Sequence, residues 1–286
     1  MTTRDPGYRP SPLRLEREAA KARAARRSIS IATFSTVAVG LFLYVAVTSA
    51  PGWEQVKAAF FSPDFVAIAF PKVVEGLWLN LRVMLVAEFF ILVIGLLLAL
   101  ARTTKSPVLF PLRVLAAAYT DVFRGLPLLL VILLLGLGVP ALAIDGLTNS
   151  VVVWGTVALV LTYSAYVAEV LRAGIESVHP TQRMAARALG LTGSQTTRFV
   201  ILPQAIRRVV PPLLNDLVSL QKDSGLISIL GAVDAIKAAS IIAASKWNFT
   251  PYVVAGILFV LLTIPLARFT DHITQKMTRE QQQGGV

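Results

Sequence analysis

The sequence predicts an all-α fold, a polytopic membrane helical bundle of about six transmembrane helices, and three observations predict it. Of the 286 residues, 55% are hydrophobic and only 15% charged, whereas charged residues make up roughly a quarter of an average soluble domain. Mean hydropathy is +0.69, and a soluble fold of this length needs far more polar residues to cover its surface. Uncharged or nearly uncharged runs also recur between basic segments, with the length of about 20 residues that a crossing of the hydrocarbon core requires. The formal net charge of +11 would suggest nucleic acid in a soluble domain, but beside such runs it reads as a membrane signal.

Taken in chain order, residues 1–28 form a basic segment whose Arg4, Arg9, Arg14, Arg17, Lys21, Arg23, Arg26 and Arg27 outnumber Asp5, Glu16 and Glu18. After the prolines at 6, 10 and 12, a short helix is expected around Leu13–Arg27. Residues 29–50 carry no charge and form a first span. A signal peptide is the competing reading, but its apolar region usually runs about 7–15 residues. Residues 51–75, with Trp53, Phe60, Phe61, Phe65 and Phe70, read as an extracytoplasmic interfacial loop. Residues 76–270 then form a core of five spans. The first is about Gly76–Ala101, with Arg82 and Glu88. An approach helix from Pro107 to Arg124 leads into the second, about Gly125–Ala143, and the third is about Val151–Leu171. Residues 172–208 are too charged for lipid. The fourth span begins near Val209 and contains Pro211, Pro212, Asn215, Asp216, Lys222 and Asp223. Leu226–Ser245, with Asp234 and Lys237, reads as an interfacial helix, and Tyr252–Phe269 as the last span. Residues 271–286 are a polar tail.

Orientation follows from the Lys/Arg asymmetry of short loops. With both termini cytoplasmic, 21 of the 27 basic residues fall inside, and only Lys57, Lys72, Lys237 and Lys246 fall in outer loops. The site chemistry is sparse. With no cysteine, thiolate metal sites and thiol catalysis are excluded. His179 and His272 are isolated, so no metal site is expected. No glycine is followed by lysine, so the phosphate-cradling loop of ATPases is absent and ATP would have to be hydrolysed by another polypeptide.

Residues 181–203 read as two short helices around a turn. Thr181 can cap the first, Gly190 suits a left-handed stop, and Ser194 can cap the second. Such a basic, small-residue hairpin is shaped to press into a groove on another protein. The stretch resembles the EAA loop of permease subunits of type I ATP-binding cassette importers. It matches at Met184–Ala185–Ala186, at Gly190 with Leu191, and at Ile201–Leu202–Pro203. The likeness extends to Phe123–Arg124–Gly125–Leu126–Pro127–Leu128, to Tyr166–Val167–Ala168–Glu169, to Arg172–Ala173–Gly174–Ile175 and to Lys222–Asp223–Ser224. It covers about Gly76–Phe269, and is most similar to the polar amino acid uptake branch.

The resemblance implies a non-catalytic, multi-pass subunit of the cell membrane that translocates a polar amino acid. It implies two copies of an ATPase carrying ATP and magnesium, a second permease subunit, identical or homologous, and an extracytoplasmic binding protein. The loop would transmit closure of the ATPase pair, with Ala185 and Ala186 allowing close approach. Met184 stands where the family usually has Glu, and residues 29–50 are an addition to the five-span core.

Charges within spans are costly, about 2.5–3.5 kcal/mol each on insertion scales. Asp216 lies about 18 Å along a helix from Gln204, which places Asn215 and Asp216 near the midplane, where transporter sites lie. They either bind an amino acid or satisfy backbone groups freed by Pro211 and Pro212. Glu88 either lines the pathway or bonds a neighbouring helix. Arg82, turned by 600° of helix, faces elsewhere. Lys222 and Asp223 read as a pair or gate, and Glu169 and Arg172, three apart, as a structural pair. His179 reads as exposed. A lone ion-coupled carrier using Glu88 and Asp216 is the alternative function.

Overall fold

A computed structural model describes residues 11–104 and 106–283. The expectations for Arg4, Asp5, Arg9 and the last three residues of the tail lie outside the described residues. Every regular element among the described residues is helical. Four segments are long and apolar enough to cross a membrane, or six when each of two bent helix pairs is one span.

The chain divides into two compact units, residues 1–58 and 59–286. In the first, α1 runs unbroken over Pro12–Thr48, about 55 Å at 1.5 Å per residue. Pro12 starts it because a missing N–H costs nothing in the first turn. The basic segment and the first apolar run are thus one helix. Its apolar side chains, from Ile29 to Val47, are exposed, as a helix facing lipid requires. The short α2, Trp53–Phe60, carries an exposed Glu54–Lys57 pair at 2.8 Å.

In the second unit, α3 extends over Pro63–Thr103. Residues 51–75 are therefore α2 and the opening turns of α3 rather than a loop. Pro63 sits at the helix start, where its ring is tolerated. Pro71 lies inside α3, and membrane helices accept such a residue where neighbours satisfy the freed carbonyl. The buried residues of α3, among them Ala69, Val73, Gly76, Asn80, Ala87, Ile91, Gly95 and Ala99, recur at helical spacing on one face.

Two of those glycines set close approaches. A side-chain carbon on Gly76 would overlap the backbone of Asp234 and Ala235, and one on Gly95 would meet Val167. Beside Gly76, buried Asn80 donates from Nδ2 to the Ser224 carbonyl (3.1 Å) and to Asp234 Oδ2 (3.0 Å), and its Oδ1 accepts from the Ala235 amide (3.2 Å). Asp234 in turn caps the next helix by accepting from the Lys237 amide (2.8 Å). An amide in an apolar run is costly unless paired, and here both its N–H groups and its oxygen have partners.

Next come α4, Phe110–Gly125, and α5, Leu128–Ala141, bent by 101° at their junction. Pro127 forces the bend by disfavouring a helical conformation at Leu126, which is extended (ψ 137). The most deeply buried span is α6, Val151–Glu176, whose Gly155, Ala158, Ala165, Ala168 and Gly174 allow close packing. After α7, Pro180–Ala188, and α8, Gly193–Thr196, a π-helical segment Thr197–Ile201 runs into α9, Leu202–Asp223. A 3₁₀ turn, Ser224–Leu230, leads to α10, Ala235–Lys246, and α11, Thr250–Gln283. The main core joins α3, α5, α6, α9 and the 3₁₀ turn through residues such as Ile91, Ile132, Leu159, Leu220 and Ile227. A smaller core of Ala69, Val73, Ala235, Ala239, Val254 and Ala255 joins α3, α10 and α11.

Candidate coupling hairpin and membrane-embedded charges

Proline begins the hairpin. Pro180 occupies the first position of α7, and His179 Nδ1 caps it by accepting from the Thr181 amide (3.3 Å). The cap is thus His179 rather than Thr181, because the preset φ of proline suits the first helical position. The helix closes as the sequence predicts, with Gly190 left-handed (φ +82). The Leu191 amide bonds the Ala186 carbonyl (3.1 Å) and the Gly190 amide the Arg187 carbonyl (3.0 Å), the paired bonds of a Schellman stop. Thr192, not Ser194, caps α8. It accepts from the Gln195 amide (3.3 Å), while Gln195 Oε1 accepts from the Thr192 amide (2.9 Å). This reciprocal box needs the Thr-x-x-Gln spacing, which only Thr192 has.

The hairpin presents Met184, Leu189 and Phe199 outward, at 61%, 83% and 62% exposure. Ala185 is also exposed, whereas Ala186 is buried. Of the two alanines expected to admit a partner, only Ala185 faces out. Gly190 has open space around its α-carbon. Beneath the hairpin, Ile201 is buried with Val178 and Ala205, packed against Ile175. Leu202 and Pro203 are exposed at the start of α9. Arg183 donates to the Ile175 carbonyl (3.3 Å), and Arg208 to that of Ser177.

Above this, one carboxylate gathers three arginines. Glu169 accepts from Arg102 (2.8 Å) at the end of α3 and from Arg172 through Nε (3.2 Å), and Arg124 at the end of α4 lies 3.6 Å away. Arg172 also pairs with Glu176. The Glu169–Arg172 spacing is visible in the sequence, but Arg102 and Arg124 come from distant helices. Glu169 therefore ties three helix ends together, which two residues on one helix do not.

In the spans, Glu88 on α3 and Asp216 on α9 are both half-buried. Asp216 Oδ2 is buried without a hydrogen-bond partner among the described residues. Asn215, one residue away and so about 100° round the helix, is exposed. Lys222 and Asp223 are not paired with each other. Asp223 accepts from the Tyr163 hydroxyl (2.7 Å), and Lys222 lines a separate cleft with Ile236, Phe259 and Thr263. Sequence reasoning missed Tyr163, and also Gln221, which accepts from Thr263 (2.6 Å). Neither residue carries a charge to mark it within an apolar run.

Residues 91–279 match the sequence model of the binding-protein-dependent transport system inner membrane component. A Rickettsia conorii (strain ATCC VR-613 / Malish 7) protein named for glutamine transport, GlnP, is 37% identical over 218 residues, 75% of this chain and 98% of its own. The arginine transport system permease protein ArtQ of Bacillus subtilis (strain 168) is 32% identical over 212 residues, 72% of this chain and 93% of its own. Among solved structures, a chain of an amino acid ABC transporter with histidines matches with TM-score 0.68 and 30% identity, covering 76% of this chain and all of that one. The inward-facing MetNI methionine ABC transporter matches with TM-score 0.59 at 21% identity, covering 72% and 96%, which speaks for the fold alone. With most of its length matched in sequence and in fold, the chain belongs to the binding-protein-dependent transport system inner membrane component family, as an amino acid ABC transporter permease.

Proposed function

We propose that this chain is the membrane-spanning, non-catalytic subunit of an ATP-driven importer for a polar amino acid. An extracytoplasmic binding protein delivers the amino acid. A separate ATPase, present in two copies and carrying ATP and magnesium, docks on the 181–203 hairpin. A second permease subunit, identical or homologous, completes the pathway. The termini and the hairpin are cytoplasmic, as the lysine and arginine distribution requires. Residues 76–270 are the importer core, and residues 29–50 an added span.

The observation that carries this reading is the hairpin. On the nine-residue helix α7 and the segment that follows, Met184, Leu189 and Phe199 stand exposed. Exposed apolar groups on a basic segment outside lipid indicate a protein partner. With Met184 in place of a carboxylate, that contact is apolar and backbone-mediated rather than an ion pair. ATP-bound closure of the ATPase pair then favours one arrangement of the spans, and hydrolysis releases it, a shift between two states.

Along the pathway, Glu88 and Asp216 supply negative charge for an ammonium group, and the names of the relatives, for glutamine and arginine, fit such a substrate. The Asp216→Asn variant is expected to assemble normally. Losing one charge-assisted bond, it should raise the half-stimulating amino acid concentration about tenfold or more. Unaltered kinetics across candidate amino acids would assign Asp216 to helix bracing instead. The whole reading is tested by purifying the chain with its partners in vesicles. ATP turnover stimulated by a polar amino acid and its binding protein is expected. Gradient-driven uptake by the chain alone, without any ATPase, would replace the reading with an ion-coupled carrier.

A further inference from the structure

We infer that the cleft between the end of α3, the start of α4, the end of α6 and the start of α7 binds a phosphate-bearing anion. The cleft encloses about 520 Å³ and is lined by Arg102, Arg113, Arg183, Thr104, Glu176 and Pro180, among others. That volume suits a small polar ligand. Three guanidinium groups face a single carboxylate, and that carboxylate is already held by Arg172.

The arginines differ in what occupies them. Arg102 is taken up by Glu169. Arg113 and Arg183 have no carboxylate partner among the described residues. Instead, Arg113 Nη1 donates to the Thr104 carbonyl (3.2 Å), and Arg183 Nη2 to the Ile175 carbonyl (3.3 Å). Arg113 also lies over the Phe110 ring, 5.1 Å from its centroid. Each guanidinium has five N–H donors, so these bonds fix the two groups in place and leave most of their donors unused. Two half-buried, pre-positioned guanidinium forks without a counter-charge suit a tetrahedral oxyanion, which accepts from both at once.

The surroundings indicate phosphate rather than a carboxylate. Arg102 directly follows the long apolar run of α3, which places the cleft at headgroup depth. Next to it, Val108, Leu112 and Leu115 are 85%, 50% and 67% exposed, apolar surface against which acyl chains would lie. A phosphate at this depth comes from an anionic lipid headgroup or from free phosphate in solution, and the chemistry of the cleft is the same for both. Because Pro180 and Arg183 belong to α7, an occupied cleft ties the hairpin to the end of α3 and the start of α4. Only this last consequence rests on α7 being the ATPase contact.

The test uses the absence of cysteine. Thr104→Cys, which keeps its backbone carbonyl, is introduced into the chain assembled with its partner subunits, and its modification by a charged thiol reagent is timed. Three conditions are compared: phosphatidylcholine vesicles, the same vesicles with phosphatidylglycerol, and phosphatidylcholine vesicles with inorganic phosphate added. Phosphatidylglycerol or inorganic phosphate is expected to slow modification, and the effective one identifies the source. Arg113→Gln and Arg183→Gln should each raise the half-protecting amount about tenfold, and together abolish protection. If the double variant fails to assemble, the single Arg183→Gln gives the same reading, and Arg268→Gln, outside both the cleft and the hairpin, should leave protection intact. Equal modification rates in all three conditions, or protection undiminished in Arg183→Gln, would overturn the inference. Because the readout is thiol protection and not ATP turnover, it stands or falls independently of the importer reading.

Discussion

Replacing Glu169 by alanine is expected to cost the assembly more stability than any other single substitution of a charged residue here. Removing the carboxylate leaves Arg102, Arg124 and Arg172 facing one another, with Arg102 and Glu169 only 15% and 22% exposed. Deleting one partner of a fully buried pair costs about 3–5 kcal/mol, because the other charge stays unpaired. The partial exposure of this cluster places its cost at or below that range. The expected result is a lower midpoint of thermal unfolding in detergent and a reduced yield of assembled complex. Combining Glu169→Ala with Arg102→Met should recover part of the loss, since the double change removes a charge along with its partner. An unchanged midpoint in Glu169→Ala would show that solvent already screens the cluster.

Gly190→Trp is expected to separate ATP hydrolysis from transport while the spans stay folded. Among the described residues, no atom beyond its immediate neighbours lies within 4 Å of a side-chain carbon built there, so a side chain can start there without a clash and adds bulk where a partner would dock. The backbone is left-handed (φ +82), and that conformation costs a non-glycine residue about 1–2 kcal/mol. Gly190→Ala carries the same strain without the bulk, and Gly190→Asn tolerates it better. If docking is the cause, Gly190→Trp should lose nearly all substrate-stimulated turnover and co-purification of the ATPase, while Gly190→Ala and Gly190→Asn lose little. Equal losses in Gly190→Trp and Gly190→Ala would place the effect in the turn itself. Full activity in all three variants would move the contact elsewhere.

Where apolar runs are long, the sequence was a good guide to the helices. Residues 29–48 lie within α1 and Val151–Leu171 within α6, because a run with few or no charges leaves few alternatives in lipid. Around proline it misled. The residues before Gly76 read as an interfacial loop because they are mixed and aromatic, yet Pro63 starts a helix there and Pro71 is absorbed within it. At the hairpin, the Gly190 stop was readable. The caps were readable too, had Pro180 been taken as a first helical residue and Thr192–Gln195 as a capping box. Contacts made across long stretches of chain were beyond reach. Nothing local in Arg102 or Arg124 points to Glu169, and nothing in Asn80 points to Asp234. Such partners are chosen by which helices pack together, and hydropathy does not encode that.

The π segment Thr197–Ile201 joins α8 directly to α9 with no intervening loop, and this has a consequence in leverage. The four residues of α8 make an arm of about 6 Å, whereas from Leu202 to Asp216 along α9 is about 21 Å. If the chain pivots at the wide π turn, a push of about 1 Å on the short arm becomes a sweep of about 3–4 Å at Asp216. With arms so unequal, such a pivot would need no large excursion of α8 to displace Asp216.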